Sequence, residues 1–323
     1  MKAIIFDAPG DADVLRYADA PDPEPGDGEL LVRVRASAVN RADILQRRGG
    51  YAPPPGASPI LGLELAGEVV QPAGAWQAGD RVMAVVTGGG YAELAAVPAG
   101  MAIRIPEQFS FAEAAAIPEA FLTAYLNLFT LGRLQTGETA LIHAGASGVG
   151  TAAIQLARAA GARVFATAGA ENKLALCREL GAELAINYKT EQFAEQVMAA
   201  TGGAGANVVL DFVGAPYWAG NMAALALGGR LMLIGFLGGS QGQLDLGALM
   251  GKSLTVASTT LRRTPLAQKV ALTEAFSAFA LDRFVSGELR PVIDRTFPMA
   301  QAADAHRYVE SNANAGKVVL LGE

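Results

Sequence analysis

Cysteine and histidine are scarce in this sequence: its 323 residues include one Cys and two His. A single thiol, that of Cys177, excludes an internal disulfide and favours a reducing compartment. Zinc sites are built from Cys, His and carboxylate ligands, and structural zinc sites often use four cysteines. The sequence therefore predicts a mechanism without a metal, and no residue is assigned as a metal ligand.

Long apolar runs and an excess of positive charge are also missing. No segment approaches the about 20 consecutive apolar residues of a membrane span, and the short apolar run after Met1 is unlike a secretory signal. We therefore expect a cytoplasmic chain. The formal net charge of -6 argues against nucleic-acid binding, which needs a basic face. Among the clustered arginines, Arg47 and Arg48 are expected on the solvated surface.

Hydrophobic periodicity divides the chain into two kinds of segment. In the first third, β-type segments at 2–6, 30–38, 65–71 and 81–86 alternate with turns rich in Gly and Pro, which is typical of a small barrel. From residue 139, apolar strands alternate with helices, which predicts a parallel, doubly wound sheet buried on both faces. The tail of the chain is a helix followed by two strands, and we expect it to complete the first domain.

The sharpest motif is a glycine-rich turn between a strand at 140–143 and a helix at 149–160. It contains Gly145, Gly148 and Gly150, with the spacing G-x-x-G-x-G rather than G-x-G-x-x-G. Glycine lets the backbone turn tightly and approach a ligand, and the helix that follows presents N–H groups and the positive end of its dipole to a diphosphate. This strand–turn–helix arrangement predicts a Rossmann dinucleotide-binding domain.

The end of the second strand of this domain selects between the two nicotinamide cofactors. A site for NAD usually places an acid there, on the ribose hydroxyls, but this strand ends in Ala168 and Gly169, which leave room for a 2′-phosphate. Lys173 and Tyr188 are placed to contact that phosphate. Glu171 is the alternative ribose acid, although its position favours the first turn of a helix. The sequence therefore predicts NADPH rather than NADH.

Three further motifs carry a resemblance to a known family: VNRAD at 39–43, LGLE at 61–64 and AAIP at 115–118. With the glycine turn, they resemble the quinone oxidoreductases related to zeta-crystallin, in the medium-chain dehydrogenase/reductase superfamily. The segments GYAPPPGAS at 50–58 and IHAG at 142–145 resemble its tumour-suppressor-inducible branch. The resemblance extends over essentially the whole chain.

This resemblance implies an α/β fold with two domains. Residues 1–118 and 259–323 are expected to form a GroES-like β-barrel domain that carries the catalytic groups. Residues 119–258 are expected to form the Rossmann domain, a doubly wound parallel sheet that binds NADPH. The active site is then expected in the cleft between the domains.

The resemblance also supports the missing metal. Zinc-using relatives carry Cys at the position of Asn40 and His at that of Leu63, and their third ligand aligns near Glu119. Only Glu119 could still coordinate a metal. Of the two histidines, His143 is expected to be a hydrogen-bonded structural residue, and His306 a surface residue on a helix.

The resemblance places cofactor contacts in both domains, including a segment beside the nicotinamide after the fifth Rossmann strand. Together with the glycines of the turn, the expected contacts are Asn40, Thr123, Gly145, Ser147, Gly148, Val149, Gly150, Gly169, Lys173, Tyr188, Phe236, Leu237, Gly238, Leu261, Arg262, Asn312 and Lys317.

Without a metal, hydrogen-bond donors must stabilise the acceptor oxygen that gains charge when the nicotinamide delivers its hydride. Tyr51 is the best candidate donor, because a loop rich in Gly and Pro can project its phenol into a cleft; the alternative is an aromatic side chain that packs the loop. Asn40 offers an amide, and Asp43 is expected to orient a neighbour or relay a proton. Glu64 and Glu119 could be structural.

The expected activity is NADPH-dependent reduction of quinones. A zinc-free enone or enoyl reductase on the same scaffold is an alternative that the sequence hardly separates from it. An alternative of another class is a non-catalytic NADPH-binding structural or RNA-binding protein, although the acidic charge argues against RNA. The resemblance implies a homodimer through the edge of the Rossmann sheet. The apolar strand at 254–258 is the expected edge, and burial of that strand in the core is the alternative.

Overall fold

The computed structural model of this chain describes residues 1–322. The chain forms two compact units. Unit 1 consists of Met1–Leu122 and the described residues from Arg262 onward, and unit 2 of Thr123–Leu261. The predicted domain boundaries, after residues 118 and 258, lie four and three residues before these junctions.

The regular elements of both units are named here in chain order. The strands are β1 (Lys2–Ile5), β2 (Arg16–Asp19), β3 (Glu29–Val39), β4 (Glu64–Gln71), β5 (Arg81–Val85), β6 (Leu94–Pro98), β7 (Ala102–Arg104), β8 (Thr139–Ile142), β9 (Arg163–Ala168), β10 (Leu184–Asn187), β11 (Ala206–Asp211), β12 (Leu225–Leu233), β13 (Thr255–Ser258), β14 (Ile293–Pro298) and β15 (Lys317–Leu321). The helices are α1 (Arg41–Arg47), α2 (Phe111–Ala115), α3 (Pro118–Tyr125), α4 (Gly148–Ala159), α5 (Glu171–Leu180), α6 (Phe193–Ala200), α7 (Trp218–Ala224), α8 (Leu246–Gly251), α9 (Leu266–Ser286) and α10 (Ala302–Glu310). Within residues 1–322, no helix combines the length and the apolar character of a membrane span.

Unit 1 is built around a curled sheet. Its strands follow the order β14-β15-β3-β4-β5-β7, with β6 paired to β3, and β1 and β2 form a separate antiparallel pair. The long strand β3 pairs with β6 near its start and with β15 near its end. Because both partners lie on the edge of β3 opposite β4, the sheet bends around that strand. The barrel-type, GroES-like architecture predicted for this part of the chain is confirmed.

The Ala-rich stretch after β7 forms two short helices rather than one. Helix α2 begins with a capping box, in which Ser110 and Glu113 satisfy each other's backbone N–H groups. Pro118 then starts α3, a position that a proline occupies at no cost because the first helical N–H has no partner within the helix. This break places Glu119 in the first turn of α3.

Unit 2 is a parallel six-stranded sheet with the order β10-β9-β8-β11-β12-β13. Counted within the unit, that order is 3-2-1-4-5-6, the arrangement of a dinucleotide-binding sheet. The order reverses between β8 and β11, and ligands of such sheets bind beyond the carboxyl ends of the strands at this reversal. The predicted Rossmann domain is confirmed.

Burial separates the central strands of unit 2 from its edge. All four residues of β8 are buried, as expected for a strand covered by helices on both faces. Three of the four residues of β13 are exposed, and β13 is the last strand in the sheet order. The prediction that this strand is an edge is confirmed, and the alternative of core burial is wrong.

Candidate functional site

The glycine-rich turn of unit 2 brings backbone into close contact between β8 and α4. A Cβ atom added to Gly145 would lie 2.8 Å from the Cys177 sulfur, and one added to Gly150 would lie 2.3 Å from the Ala144 carbonyl oxygen. Neither position has room for a side chain. Ser147 caps α4, and its Oγ accepts a hydrogen bond from the Gly150 N–H at 3.0 Å.

The start of α4 suits a diphosphate. The first-turn N–H groups of a helix, here those of Gly148 and Val149, have no carbonyl within the helix to bind. The helix dipole adds partial positive charge at the same point. No acidic residue lies in the first turn of α4. The turn therefore fits the diphosphate of a dinucleotide, with these amides and Ser147 as the groups that would hold it.

Strand β9 lies beside β8 in the sheet, and its carboxyl end is therefore next to the glycine-rich turn. A Cβ atom added to Gly169 would lie 2.5 Å from the Tyr188 hydroxyl oxygen, so the predicted cofactor residues Gly169 and Tyr188 are in contact. Lys173 lies in the first turn of α5. Glu171 is paired with Arg178 of the same helix at 2.8 Å, which supports its assignment as a helix acid rather than as a ribose ligand.

His143 lies directly behind the glycine turn and is fully buried. Its Nδ1 is 3.1 Å from Thr167 Oγ1, and its Nε2 is 2.8 Å from Asn221 Oδ1. Asn221 donates through Nδ2 to Asp211, so its Oδ1 is the acceptor and His143 Nε2 carries the proton. Burial lowers the pKa of His143 to about 4, and the ring is neutral. The prediction of a hydrogen-bonded structural histidine is confirmed.

The other predicted cofactor contacts of unit 2 differ in exposure. Phe236 and Leu237, in the loop after β12, are 61% and 60% exposed. The N–H groups of Leu237 and Gly238 bind carbonyls that follow β11, at 3.0 and 2.9 Å, and fix this loop. Two exposed apolar side chains on a fixed loop are suited to contact a flat ring. Thr123 and Leu261 are buried.

In unit 1, the register of the curled sheet brings three polar residues together. Strand β15 pairs with the end of β3 through Val318 and Val39, which places Lys317 beside Asn40. Strand β4 pairs with the same part of β3, so its first residue, Glu64, lies on the other side of Asn40. Lys317 and Glu64 are 253 residues apart in sequence, yet they belong to one polar cluster.

Lys317 and Glu64 form a buried ion pair, with Nζ 2.7 Å from Oε1. The Lys317 ammonium also donates to Asn40 Oδ1 at 2.7 Å and to the Val39 carbonyl at 3.4 Å. Asn40 Nδ2 in turn donates to Glu64 Oε1 at 2.8 Å and to the Ala38 carbonyl at 3.2 Å. All three ammonium protons and both amide protons are therefore engaged. Asn40 and Lys317 shape the site but have no proton left for an acceptor oxygen.

Two carboxyl groups next to this cluster have shifted pKa values. Glu119 donates its backbone N–H to Glu64 Oε2 at 2.9 Å. Burial, and then the charge of Glu64, raises the pKa of the Glu119 carboxyl to about 8. Burial raises the pKa of Asp43 to about 6, although hydrogen bonds from the backbone N–H groups of Asn40 and Gly62 oppose the shift. Glu119 is therefore mostly protonated at neutral pH and can donate a hydrogen bond.

A hydrogen-bonded chain leads from Asp43 through the core of unit 1. The Tyr91 hydroxyl is 3.2 Å from both Asp43 Oδ2 and His306 Nε2. His306 Nδ1 is 3.3 Å from Arg47 Nη1, and Arg47 Nη2 is paired with Glu310 Oε1 at 2.6 Å. Burial, with the charge of Arg47, lowers the pKa of His306 to about 3. These hydrogen bonds fix the Asp43 carboxyl, and its role in orienting a neighbour or relaying a proton stays a prediction.

The sequence-based placement of two of these residues is wrong. Arg47 and His306 were expected on the surface, yet both are 0% exposed. Arg47 is stable in the core because Glu310 neutralises it and the Gly10 carbonyl accepts its Nε proton at 3.1 Å. Arg48 is exposed, as predicted. Tyr91 was missed altogether, since its only signal is a position just after three consecutive glycines.

Tyr51 lies beside a buried arginine. The guanidinium carbon of Arg262 is 5.3 Å from the centre of the Tyr51 ring, and Arg262 donates through Nε and Nη2 to the Thr87 carbonyl at 2.8 and 2.6 Å. Burial raises the pKa of Tyr51 to about 12. The phenol stays protonated and can donate to an oxygen that gains negative charge. Asn312 lies apart from this group, where its side chain accepts a hydrogen bond from Arg41.

Two of the three positions aligned with zinc ligands hold side chains that do not suit a metal. Asn40 is engaged with Lys317, and Leu63 is apolar and buried. Across the described part of the chain, no group of three or more His, Cys, Asp and Glu side chains is arranged to hold a metal ion.

Family models match both parts of the chain: an alcohol dehydrogenase GroES-like domain over residues 26–107 and a zinc-binding dehydrogenase domain over 148–278. A quinone oxidoreductase of Pseudomonas aeruginosa is 35% identical over 99% of this chain and 99% of its own length. A mycocerosic acid synthase-like polyketide synthase of Mycobacterium tuberculosis is 36% identical over 97% of this chain. The chain spans only 15% of the length of that synthase.

Solved structures resemble this chain over nearly its whole length. A mycobacterial protein in complex with NADPH superimposes with a TM-score of 0.90, at 31% identity over 99% of this chain and 100% of its own. An NAD-dependent alcohol dehydrogenase gives 0.88, at 33% identity over 99% of both chains. The CurK enoyl reductase also gives 0.88, at 29% identity over 100% of this chain and 99% of its own.

Proposed function

Because this chain belongs to the zinc-free quinone oxidoreductase-like group of the medium-chain dehydrogenase/reductase superfamily, we propose that it is an NADPH-dependent quinone reductase. When bound, the cofactor would supply a hydride from its nicotinamide ring. The observation that carries the proposal is the glycine-built entrance to α4, which has backbone amides and no room for side chains. Its amides, with Ser147, would hold the diphosphate.

The end of β9 supports NADPH over NADH. It ends in Ala168 and Gly169 without a carboxylate, and the nearest acid, Glu171, is paired with Arg178. Lys173 in the first turn of α5 and the half-exposed Tyr188 would take the 2′-phosphate. A solved relative is described as complexed with NADPH, which agrees with this choice.

Two groups of unit 1 would stabilise charge on the acceptor. Tyr51 keeps its phenol proton because its pKa is about 12, and Glu119 keeps its carboxyl proton at neutral pH because its pKa is about 8. The Lys317–Glu64 ion pair holds Asn40 in place, and Asp43 holds the backbone of Asn40 and Gly62. The chain's own donors would thus do what a Lewis-acidic metal does elsewhere.

Reduction of an enone or an enoyl thioester is the second candidate. It is favoured by the likeness to the CurK enoyl reductase and by the match to polyketide synthases. Both activities need a donor for the oxygen of a conjugated acceptor, so Tyr51 and Glu119 serve either one.

The test is NADPH oxidation with 1,4-naphthoquinone and with 3-penten-2-one, followed at 340 nm, with NADH as the control cofactor. We expect turnover with the quinone to exceed turnover with the enone. The reverse order would replace the proposal with the second candidate, and no turnover with either acceptor would contradict both quinone and enone reduction.

A further inference from the structure

A cleft in unit 1 is lined by positive charge and by one apolar wall. It has a volume of about 590 Å³ and is lined by the loop after Tyr51 and by the chain around Arg262. Pro53, Pro54 and Pro55 form the apolar part of the lining, and Arg262, Arg263 and Lys269 supply three cations. No Asp or Glu is among its lining residues in the described chain.

Arg262 brings a buried positive charge to the lining of this cleft. The side chain is buried, with 4% of the residue exposed. Its Nε and Nη2 bind the Thr87 carbonyl, but its Nη1 is buried without a hydrogen-bond partner among residues 1–322. The positive charge of Arg262 is therefore only partly compensated by hydrogen bonds.

Lys269 adds a second buried cation. It lies in the first turn of α9 and is 7% exposed. Burial is the main cause that lowers its pKa, with Arg262 acting in the same direction and Glu119 opposing it. Arg263 is exposed and completes the group.

We propose that this cleft is an anion-binding subsite, which holds a phosphate or carboxylate group carried by the acceptor molecule. Lys269 and Arg263 would bind the anion oxygens, and the buried guanidinium of Arg262 would add its positive charge beside them. The proline wall would cover the apolar arm that joins the anion to the reactive carbonyl. The inference rests on the proposed reductase function for the identity of the acceptor, but not for the binding of the anion.

Position supports a link between the subsite and the acceptor. Arg262 contacts the Tyr51 ring, and Tyr51 is the proposed donor to the acceptor oxygen. The cleft begins at Ala52, the next residue in the chain. An acceptor whose carbonyl reaches the Tyr51 hydroxyl therefore has the cationic cleft beside it.

Binding is tested with saturated analogues, which accept no hydride. Isothermal titration compares butyryl 4′-phosphopantetheine with butyryl pantetheine, and 4-oxopentanoate with its methyl ester. We expect at least tenfold tighter binding of the charged member in one pair, and the pair that shows it identifies phosphate or carboxylate. Equal affinities within both pairs would overturn the subsite, whatever the enzyme reduces.

Two variants assign the effect to the cleft. Arg263→Gln removes an exposed charge, and Lys269→Met removes a buried one; each should reduce the preference for the charged analogue about tenfold. Arg33→Gln, which lines a separate surface depression with Tyr17 and Glu93, should leave the preference unchanged. Lys269→Arg keeps the positive charge and should retain the preference for the charged analogue. This variant separates the loss of charge from a loss of the fold. A preference that survives both variants would overturn the proposal.

Turnover separates this inference from the proposed function. Crotonyl 4′-phosphopantetheine and crotonyl pantetheine, and 4-oxopent-2-enoate and its methyl ester, are compared as substrates. For Arg263→Gln and Lys269→Met, we expect kcat/KM to lose its preference for the charged substrates. Turnover of the neutral substrates and the KM for NADPH should stay unchanged. Anion binding without turnover of any acceptor would contradict the reductase function and leave the subsite standing. A rise in KM for NADPH alone would instead assign the cations to the cofactor and overturn the subsite.

Discussion

The hydrogen-bond donors of the proposed site in unit 1 are of two kinds. Some are already bound within the protein, and others remain available for an acceptor oxygen. The protons of Lys317 and of the Asn40 amide are bound within the cluster around Glu64. Tyr51 and Glu119 keep protons because burial disfavours their charged forms. The chemistry at the acceptor oxygen therefore depends on two residues whose raised pKa values have the same main cause.

Replacing Tyr51 by Phe tests the first of these donors. The variant keeps the ring against Arg262 but loses the hydroxyl, so kcat with 1,4-naphthoquinone should fall roughly 100-fold. The KM for NADPH should stay within about twofold. Steady-state kinetics measures both values, and unchanged kcat would leave Tyr51 only the role of packing its loop.

Replacing Glu119 by Gln tests the second donor through stability. The Glu119 pKa is about 8 in the folded protein, against an ordinary value of 4.5 for a glutamate. A raised pKa gives stability that is complete below pH 4.5 and is lost as the pH rises through 8. Relative to the native protein, Glu119→Gln should therefore gain up to about 1.4 kcal/mol per pH unit in this window.

Urea unfolding at pH 5, 6.5 and 8 measures that gain. Glu107→Gln, which removes an exposed carboxyl, is the control and should show no such trend. A difference between Glu119→Gln and the native protein that does not change with pH would mean that Glu119 is ionised throughout the range.

Lys173 tests the choice of cofactor. If it pairs with the 2′-phosphate, Lys173→Ala should weaken NADPH binding about tenfold or more and leave NADH binding nearly unchanged. Fluorescence titration with each cofactor gives the two dissociation constants. Glu171→Gln serves as the comparison, because a glutamate paired with Arg178 should affect neither. Equal losses for both cofactors in Lys173→Ala would contradict the phosphate assignment.

At the scale of elements, the local signals of the sequence were sufficient for the Rossmann sheet. Apolar runs such as 140–143 and 207–212 can only be buried strands when helices alternate with them, and β8 and β11 are found there. The glycine turn was predictable for the same reason, because its context is contiguous in sequence. The polar cluster of unit 1 was not, since it depends on pairing between β15 and β3.

The two wrong predictions, which placed Arg47 and His306 on the surface, have the same origin. Helix α1 was read as surface at Arg47 because a charged residue usually is, and α10 was read as surface at His306 because its neighbours are polar. Each residue is buried because the other element supplies its partner. A single sequence carries no sign of that pairing.

Gly150→Ala tests the turn that connects β8 to α4. The added Cβ would lie 2.3 Å from a carbonyl oxygen, so the turn must move. We expect a loss of about 2–4 kcal/mol in stability and no detectable dinucleotide binding. Gly251→Ala, where an added Cβ meets nothing within 4 Å, is the matched control and should change neither. Normal cofactor binding by Gly150→Ala would contradict the proposed diphosphate site.

At the scale of the whole molecule, the edge of the unit 2 sheet is the predicted dimer contact. Strand β13 ends the sheet and leaves Val256 36% exposed. A second copy could continue the sheet by pairing at this edge. We therefore propose a homodimer through β13, and Val256→Lys should convert it to a monomer because a lysine opposes edge pairing.

Sedimentation velocity at several protein concentrations measures that change. Leu321→Lys alters an apolar residue that is also 36% exposed but lies in unit 1, and it should leave the dimer intact. A native protein that sediments as a monomer at all concentrations, or a Val256→Lys variant that remains dimeric, would contradict this interface.

The order of the strands in unit 1 has a consequence for biosynthesis. Strands β14 and β15 are made after the whole of unit 2, yet β15 pairs directly with β3 and carries the lysine that neutralises Glu64. Unit 2 is contiguous and can fold while its sequel is still being translated. Until β15 has been synthesised, the first 122 residues have an open sheet edge and an unpaired carboxylate, so the nascent chain is exposed to aggregation during that interval.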